Sequence, residues 1–271
     1  MTINGTFGND TITPSGPPSP GVTGWYFGLN NNDSILGFAG NDLIDGGIGN
    51  DTLDGGIGDD LLYGDAGDDI LYGSDGNDIL KSGIGNDTLD GGTGNDTLQG
   101  GDGNDVFKGG TGNDILYGDA GNDILYGDDG NDTLYGGLGR DTLTGGNGND
   151  SFRFGEIGSA NADLIRDFSV PADTIILANS LDSTLASSMN PGIKGLYFYG
   201  GNVNGNPLNP NYFFKGPGFD GVATGSSVGI YVNTSNGDIW YNDSTAFGSN
   251  IIANVGAAAS AMTNFDFVYG T

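Results

Sequence analysis

Residues 109–126 read GGTGNDILYGDAGNDILY, two consecutive nonapeptides that differ only at their second and third positions. Outward from this pair the period of nine runs unbroken from Gly28 to Arg153, which is fourteen copies in one phase. Position six is Asp in every copy, position eight is always apolar, and position four is Gly except at Asn31. A tract of merely biased composition would not keep an apolar residue at one fixed place in fourteen repeats. The period is therefore architectural.

Each position has a physical task. Glycines at positions one, two and four allow positive φ and a tight turn in which successive carbonyls face one side. The last three residues alternate out, in, out like a short strand and bury the side chain at position eight. Two such half-coils make an eighteen-residue coil with apolar side chains meeting across a thin core. The position-six carboxylates are Asp33, Asp42, Asp51, Asp60, Asp69, Asp78, Asp87, Asp96, Asp105, Asp114, Asp123, Asp132, Asp141 and Asp150. One carboxylate per turn, together with turn carbonyls, forms an oxygen-only donor set suited to Ca²⁺, which takes six to eight oxygens. A Glu twelve residues after an Asp-x-Asn/Asp start is missing, which excludes an EF-hand.

Composition agrees with that reading. The chain has 271 residues, 55 of them Gly, and all of its acidic residues but Glu156 are Asp. A net charge of −28 opposes nucleic acid and anionic membrane surfaces and favours cations. No stretch approaches the roughly 18 apolar residues of a membrane span. The start, MTINGTFGND, lacks the basic and apolar regions of a cleaved leader, so export is expected to use another signal. With no His and no Cys, Ser-His-Asp and Cys-His arrangements and an HExxH zinc site cannot form, and the expectation is a protein that is not an enzyme.

The pattern resembles the repeats-in-toxin family, whose nonapeptide GGxGxDxUx builds a calcium-dependent parallel β-roll. The resemblance covers about half of the chain. It implies an ion between turns two repeats apart, with Asp42 stacked on Asp60 and Asp33 on Asp51. Seven turns on each edge leave six gaps per edge, hence about a dozen ions, whose charge nearly cancels that of the chain. Without ions, carboxylates about 5 Å apart repel by about 1–3 kcal/mol per pair. The metal-free chain is thus expected to be disordered, and binding to be folding. The resemblance further implies passage through a type I secretion channel unfolded and folding outside the cell, where Ca²⁺ is plentiful.

Three segments follow from this division. Residues 1–27 hold one stray copy, GTFGNDTIT from Gly5 to Thr13, with Asp10 in the metal position, and the Pro/Gly-rich PSGPPSPGVTGWYF. The stray copy either completes its own roll across a bulging linker or stacks on a neighbouring molecule. Residues 28–153 form the roll. Residues 154–271 form a β-rich cap that covers the open end of the solenoid. In the cap, ADLIRDFSVPADTIIL, from Ala162 to Leu177, reads as two short strands around a Pro turn, with Asp163, Asp167 and Asp173 either holding another ion or, the favoured reading, standing as solvated turn carboxylates. VGIYVNTSNGDIWYN signals a hairpin at Asn236-Gly237. No cation follows Lys215, and the apolar ending NFDFVYGT resembles an uncleaved type I secretion signal.

The predicted fold class is all-β, a calcium-dependent parallel β-roll with a β-rich C-terminal cap. Position three is too irregular along either edge for a water-ordering ladder. One outer face combines Leu43, Leu61, Ile79 and Ile115 with Tyr63, Tyr117 and Tyr135, either an interface or a bed for the C-terminal region. The expected role is a secreted, extracellular or cell-surface structural subunit that self-associates after calcium-triggered folding. The alternatives are a calcium-dependent adhesin or carbohydrate-binding module using Phe213, Trp240 and Tyr241, or the secretion and folding module of a larger toxin or enzyme.

Overall fold

In most repeats the turn at positions four to six leads into a strand covering positions seven to nine and the next copy's first three residues, the strands Ser34–Leu36, Thr133–Tyr135 and Ser151–Phe154 being shorter. Leu43–Ile48, Thr52–Ile57 and Leu61–Ala66 are successive examples. Alternate strands fall on opposite sides of the coil, because each turn reverses the chain across the width of the roll. The computed structural model describes residues 2–4, 10–12, 24–155, 162–169, 172–178, 213–216, 229–233, 238–242, 250–263 and 267–270. Among these, one sheet has eleven strands and the other thirteen, with parallel neighbours throughout the repeats. Partners within the repeats are eighteen residues apart, as in Leu89↔Phe107 and Leu98↔Leu116.

The core is a double column. Ile35, Leu53, Leu71, Leu89, Phe107, Leu125 and Leu143 stack on one sheet, and Ile44, Leu62, Leu80, Leu98, Leu116, Leu134 and Phe152 on the other, all fully buried. One apolar side chain per nine residues is a thin core, and much of the cohesion is carried by main-chain ladders. At the edges these continue through the turns: the Thr97 N–H donates to the Asp78 carbonyl at 2.9 Å, and the Gly94 N–H to the Thr111 carbonyl at 2.8 Å.

The stacking extends past both ends of the nine-residue phase. Thr11–Ile12 pairs parallel with Ser34–Leu36, and buried Ile12 joins the column below Ile35. Thr2–Asn4 pairs with Trp25–Phe27, which in turn pairs with Leu43–Ile48. The stray copy's Asp10–Ile12 therefore lies on the same chain's first coil; Gly5–Asn9 and Thr13–Thr23 lie outside the described residues. At the other end Asp163–Ile165 and Thr174–Ala178 add a strand to each sheet, with Ile165 and Ile175 buried in the column.

Beyond these, Asn250–Asn254 pairs parallel with Asp163–Ile165 and antiparallel with Asp238–Asn242, itself antiparallel to Gly229–Asn233. That antiparallel pair is the predicted hairpin, whose Asn236-Gly237 turn lies outside the described residues. Phe267–Gly270 closes the other sheet against Thr174–Ala178. Of the apolar ending NFDFVYGT, residues 264–266 and 271 lie outside the described residues. No helix among the described residues is long and apolar enough to cross a membrane.

Candidate metal centre

The turn at positions four to six places the Asp side chain inward, beneath the next coil. In each of the fourteen array copies it is at least 97% buried. One carboxylate oxygen has a fixed partner: Oδ1 accepts the backbone N–H of the position-six residue eighteen positions earlier, as in Asp60 N–H to Asp78 and Asp78 N–H to Asp96, both 2.7 Å. The ladder on one edge runs from Asp10 through Asp33, Asp51, Asp69, Asp87, Asp105 and Asp123 to Asp141. The other runs from Asp42 through Asp60, Asp78, Asp96, Asp114 and Asp132 to Asp150. Gly24 stands below Asp42 where a carboxylate would be expected, and donates its N–H to Asp42.

The second oxygen is the informative one. Oδ2 of all fourteen array aspartates is buried and accepts no hydrogen bond, an arrangement that costs several kcal/mol per charged group unless something neutralises it. The space beside it is kept open by glycine. A Cβ on Gly109 would lie 2.5 Å from Asp114 Oδ2 and 2.7 Å from the Gly127 carbonyl oxygen of the next coil, and one on Gly91 would meet Asp96 and Gly109 at the same distances. Position-one glycine thus leaves a cleft in which a carboxylate oxygen and a carbonyl oxygen converge. Position-four glycine serves the close stacking of turns: a Cβ on Gly94 (φ 131°) would overlap the Gly76 carbonyl oxygen.

Electrostatics point the same way. Burial, against the opposing pull of the amide hydrogen bond, raises the carboxyl pKa to about 7 at Asp60, Asp69, Asp96 and Asp132 and to about 8 at Asp123. Neighbouring Asp charges push further upward. The exposed position-five carboxylates behave oppositely: amide and side-chain hydrogen bonds from Asn77 and Asn86 lower Asp59 and Asp68. The inner carboxylates are thus a stack of acids that resist ionisation until a cation joins them.

Buried unpaired oxygens, a cleft free of carbon and an all-oxygen donor set fit Ca²⁺, which the position-six aspartates and turn carbonyls would hold between coils. Among the described residues no group of three acidic, His or Cys side chains clusters as a metal site would. The donor set accordingly depends on backbone carbonyls, and the glycines matter as much as the acids.

Two features escaped the sequence reading. Asp163 and Asp173 are not solvated; they are 3% and 4% exposed and extend the ladders, accepting the Asp141 and Asp150 N–H groups at 3.0 Å. The insertions between them and the array hide the period, but the triplets Asp163-Leu164-Ile165 and Asp173-Thr174-Ile175 keep its D-x-U signature. Asp167 is also engaged, accepting the Gly145 and Gly146 N–H groups at 2.9 and 2.8 Å. The second feature is position five. Asn95 Oδ1 accepts the Asn113 N–H at 2.7 Å, and Asn113 Oδ1 the Asn131 N–H at 2.8 Å. This outer ladder runs opposite in sense to the Asp ladder, so each coil is clamped in both directions.

Fold and site together define a calcium-binding parallel β-roll. Residues 25–156 belong to the RTX calcium-binding nonapeptide repeat family, whose profile matches segments 25–53, 45–80, 54–89, 81–116, 90–125 and 126–156. Among solved structures, the chain is similar to the AlgE6R2 subunit of the Azotobacter vinelandii mannuronan C5-epimerase, with 21% identity over 78% of this chain and 92% of that one at a TM-score of 0.29. The AlgE6R3 subunit of the same enzyme gives 21% identity over 78% of each chain at a TM-score of 0.19. A comparison with curated proteins finds no match.

Proposed function

We propose that the protein is exported, folds on binding about a dozen Ca²⁺ ions outside the cell, and serves without catalysis as a self-assembling structural subunit of a surface layer, sheath, matrix or filament. The observation that carries this reading is the outer surface of the roll. Ile79, Ile115 and Tyr117 on one sheet and Ile70, Tyr72, Val106, Ile124 and Tyr126 on the other are each 37–41% exposed. Such residues share the outward register with Thr88, Thr97 and the Asp90–Lys108 ion pair, so both flat faces present apolar clusters among polar side chains, and lateral packing of rolls through both faces generates extended arrays. Tyr117 and Tyr135, on neighbouring coils, lie 5.8 Å apart between ring centroids and form a two-ring aromatic patch on one face.

Export in this reading uses the C-terminal region and the type I machinery, consistent with repeats that stay unfolded where calcium is scarce. The decisive experiment is negative-stain microscopy with millimolar Ca²⁺ and then with chelator. Ordered polymers that dissolve on chelation are expected. Monomers in both conditions would turn the reading toward an adhesin, a carbohydrate-binding module or a part of a larger toxin or enzyme.

A further inference from the structure

Position one of the array is glycine in thirteen copies and serine in one, at Ser82. The exception falls inside the metal cleft. Elsewhere that position carries no side chain, and a Cβ there would press on the Asp Oδ2 and on the next coil's carbonyl oxygen, as at Gly64, where Asp69 Oδ2 lies at 2.5 Å and the Ser82 carbonyl oxygen at 2.7 Å. In the copy that begins at Ser82, the corresponding partners are Asp87 and Gly100. The Ser82 side chain is completely buried, and its hydroxyl donates to the Gly100 carbonyl oxygen at 2.8 Å. A methylene thus occupies the cleft, and the carbonyl that would face an ion is already engaged by a neutral donor.

We propose that the gap bounded by Ser82, Asp87 and Gly100 is filled by the serine side chain and holds no tightly bound calcium ion. This rests on calcium occupancy of the other repeats and goes beyond the structural role argued above. The edge on which Asp87 lies is then interrupted: Asp33, Asp51 and Asp69 form one run of sites, and Asp105, Asp123 and Asp141 another. The hydroxyl–carbonyl bond keeps the coil closed where the ion is missing, so the roll stays continuous while its calcium ladder does not.

The test is the number of tightly bound Ca²⁺ ions per full-length chain, read by equilibrium dialysis at micromolar free calcium, for the parent, Ser82→Gly and Gly109→Ser. No positive φ is required at Gly109, so serine there meets only the crowding that Ser82 meets. Ser82→Gly is expected to gain one ion over the parent, and Gly109→Ser to lose one. An unchanged count in a folded Ser82→Gly overturns the proposal. Should either variant fold poorly, hydrogen exchange of the parent at limiting calcium decides. Faster exchange of the Asp69 amide, which donates to Asp87, than of the Asp51 and Asp87 amides supports an ion-free gap, and uniform exchange overturns it. A parent that binds no calcium would instead defeat the calcium reading as a whole.

Discussion

At the scale of single residues, the repeat Asp has two oxygens with different duties, and they can be separated by mutation. Asp96 Oδ1 accepts the Asp78 N–H at 2.7 Å, while Oδ2 is buried without a partner. An Asp96→Asn chain keeps an acceptor for that amide but loses the charge. In calcium it should need roughly tenfold more Ca²⁺ to reach half-folding, since ligand charge is a main determinant of affinity. In chelator the same change should slightly favour β-structure, because it removes one of the repelling buried charges. Circular dichroism titrations of the two chains would show this reversal of sign; a loss in both conditions would mean that the side chain acts only through packing. Glycine is constrained in a different way. Gly94→Ala forces a Cβ into the Gly76 carbonyl at a positive φ, so it should reduce thermal stability in calcium more than any single change on an outer strand face.

At the scale of the element, the unit is the half-coil: one turn, one strand and one buried apolar residue. Leu98→Ala empties the only side chain that its half-coil gives to the column, and is expected to cost about 2–5 kcal/mol in denaturant titrations with calcium present. This economy is why the repeats were legible from sequence: nine residues contain the turn, the ligand and the core contact, while the pairing of Asp42 with Asp60 came from the resemblance to the repeat family and is seen in the Asp42 N–H bond to Asp60. Legibility failed where spacing did. Asp163 and Asp173 lie 22 and 23 residues beyond their ladder partners Asp141 and Asp150, so their side chains read as exposed although the strands they start are ordinary coils of the roll. The hairpin at 229–242 could be read from alternation, but its seat, Asn250–Asn254 on Asp163–Ile165, joins segments more than eighty residues apart and has no local signal. The position-five ladder was missed for another reason. Asn is an ordinary turn residue, and only stacking shows that its side chain reaches the next coil.

At the scale of the whole molecule, these local facts make folding a linkage between protons and calcium. In the metal-free roll the inner carboxyl groups have pKa values raised by burial, to about 6 at Asp51, Asp78 and Asp105, about 7 at Asp60, Asp69, Asp96 and Asp132, and about 8 at Asp123. In the unfolded chain the same groups titrate near the ordinary Asp value of about 3.9. Between these limits the folded roll binds more protons than the unfolded chain, so the stability of the metal-free roll is greatest at acid pH and is lost as pH rises through about 6–8. Calcium replaces those protons, and it does so most effectively where they have already left. The prediction follows in both directions. In chelator, β-structure measured by circular dichroism should be higher at pH 5.5 than at pH 8.5; on adding Ca²⁺, the gain in β-structure should be larger at pH 8.5, and half-folding should require less calcium there. Exposed acids such as Asp59 and Asp68, whose pKa values are lowered by the Asn ladder, stay charged across this range and do not blur the effect. If β-content in chelator were flat from pH 5.5 to 8.5, the stacked carboxylates would not be what holds the metal-free chain open, and the account of calcium as the partner of their buried oxygens would fail with it.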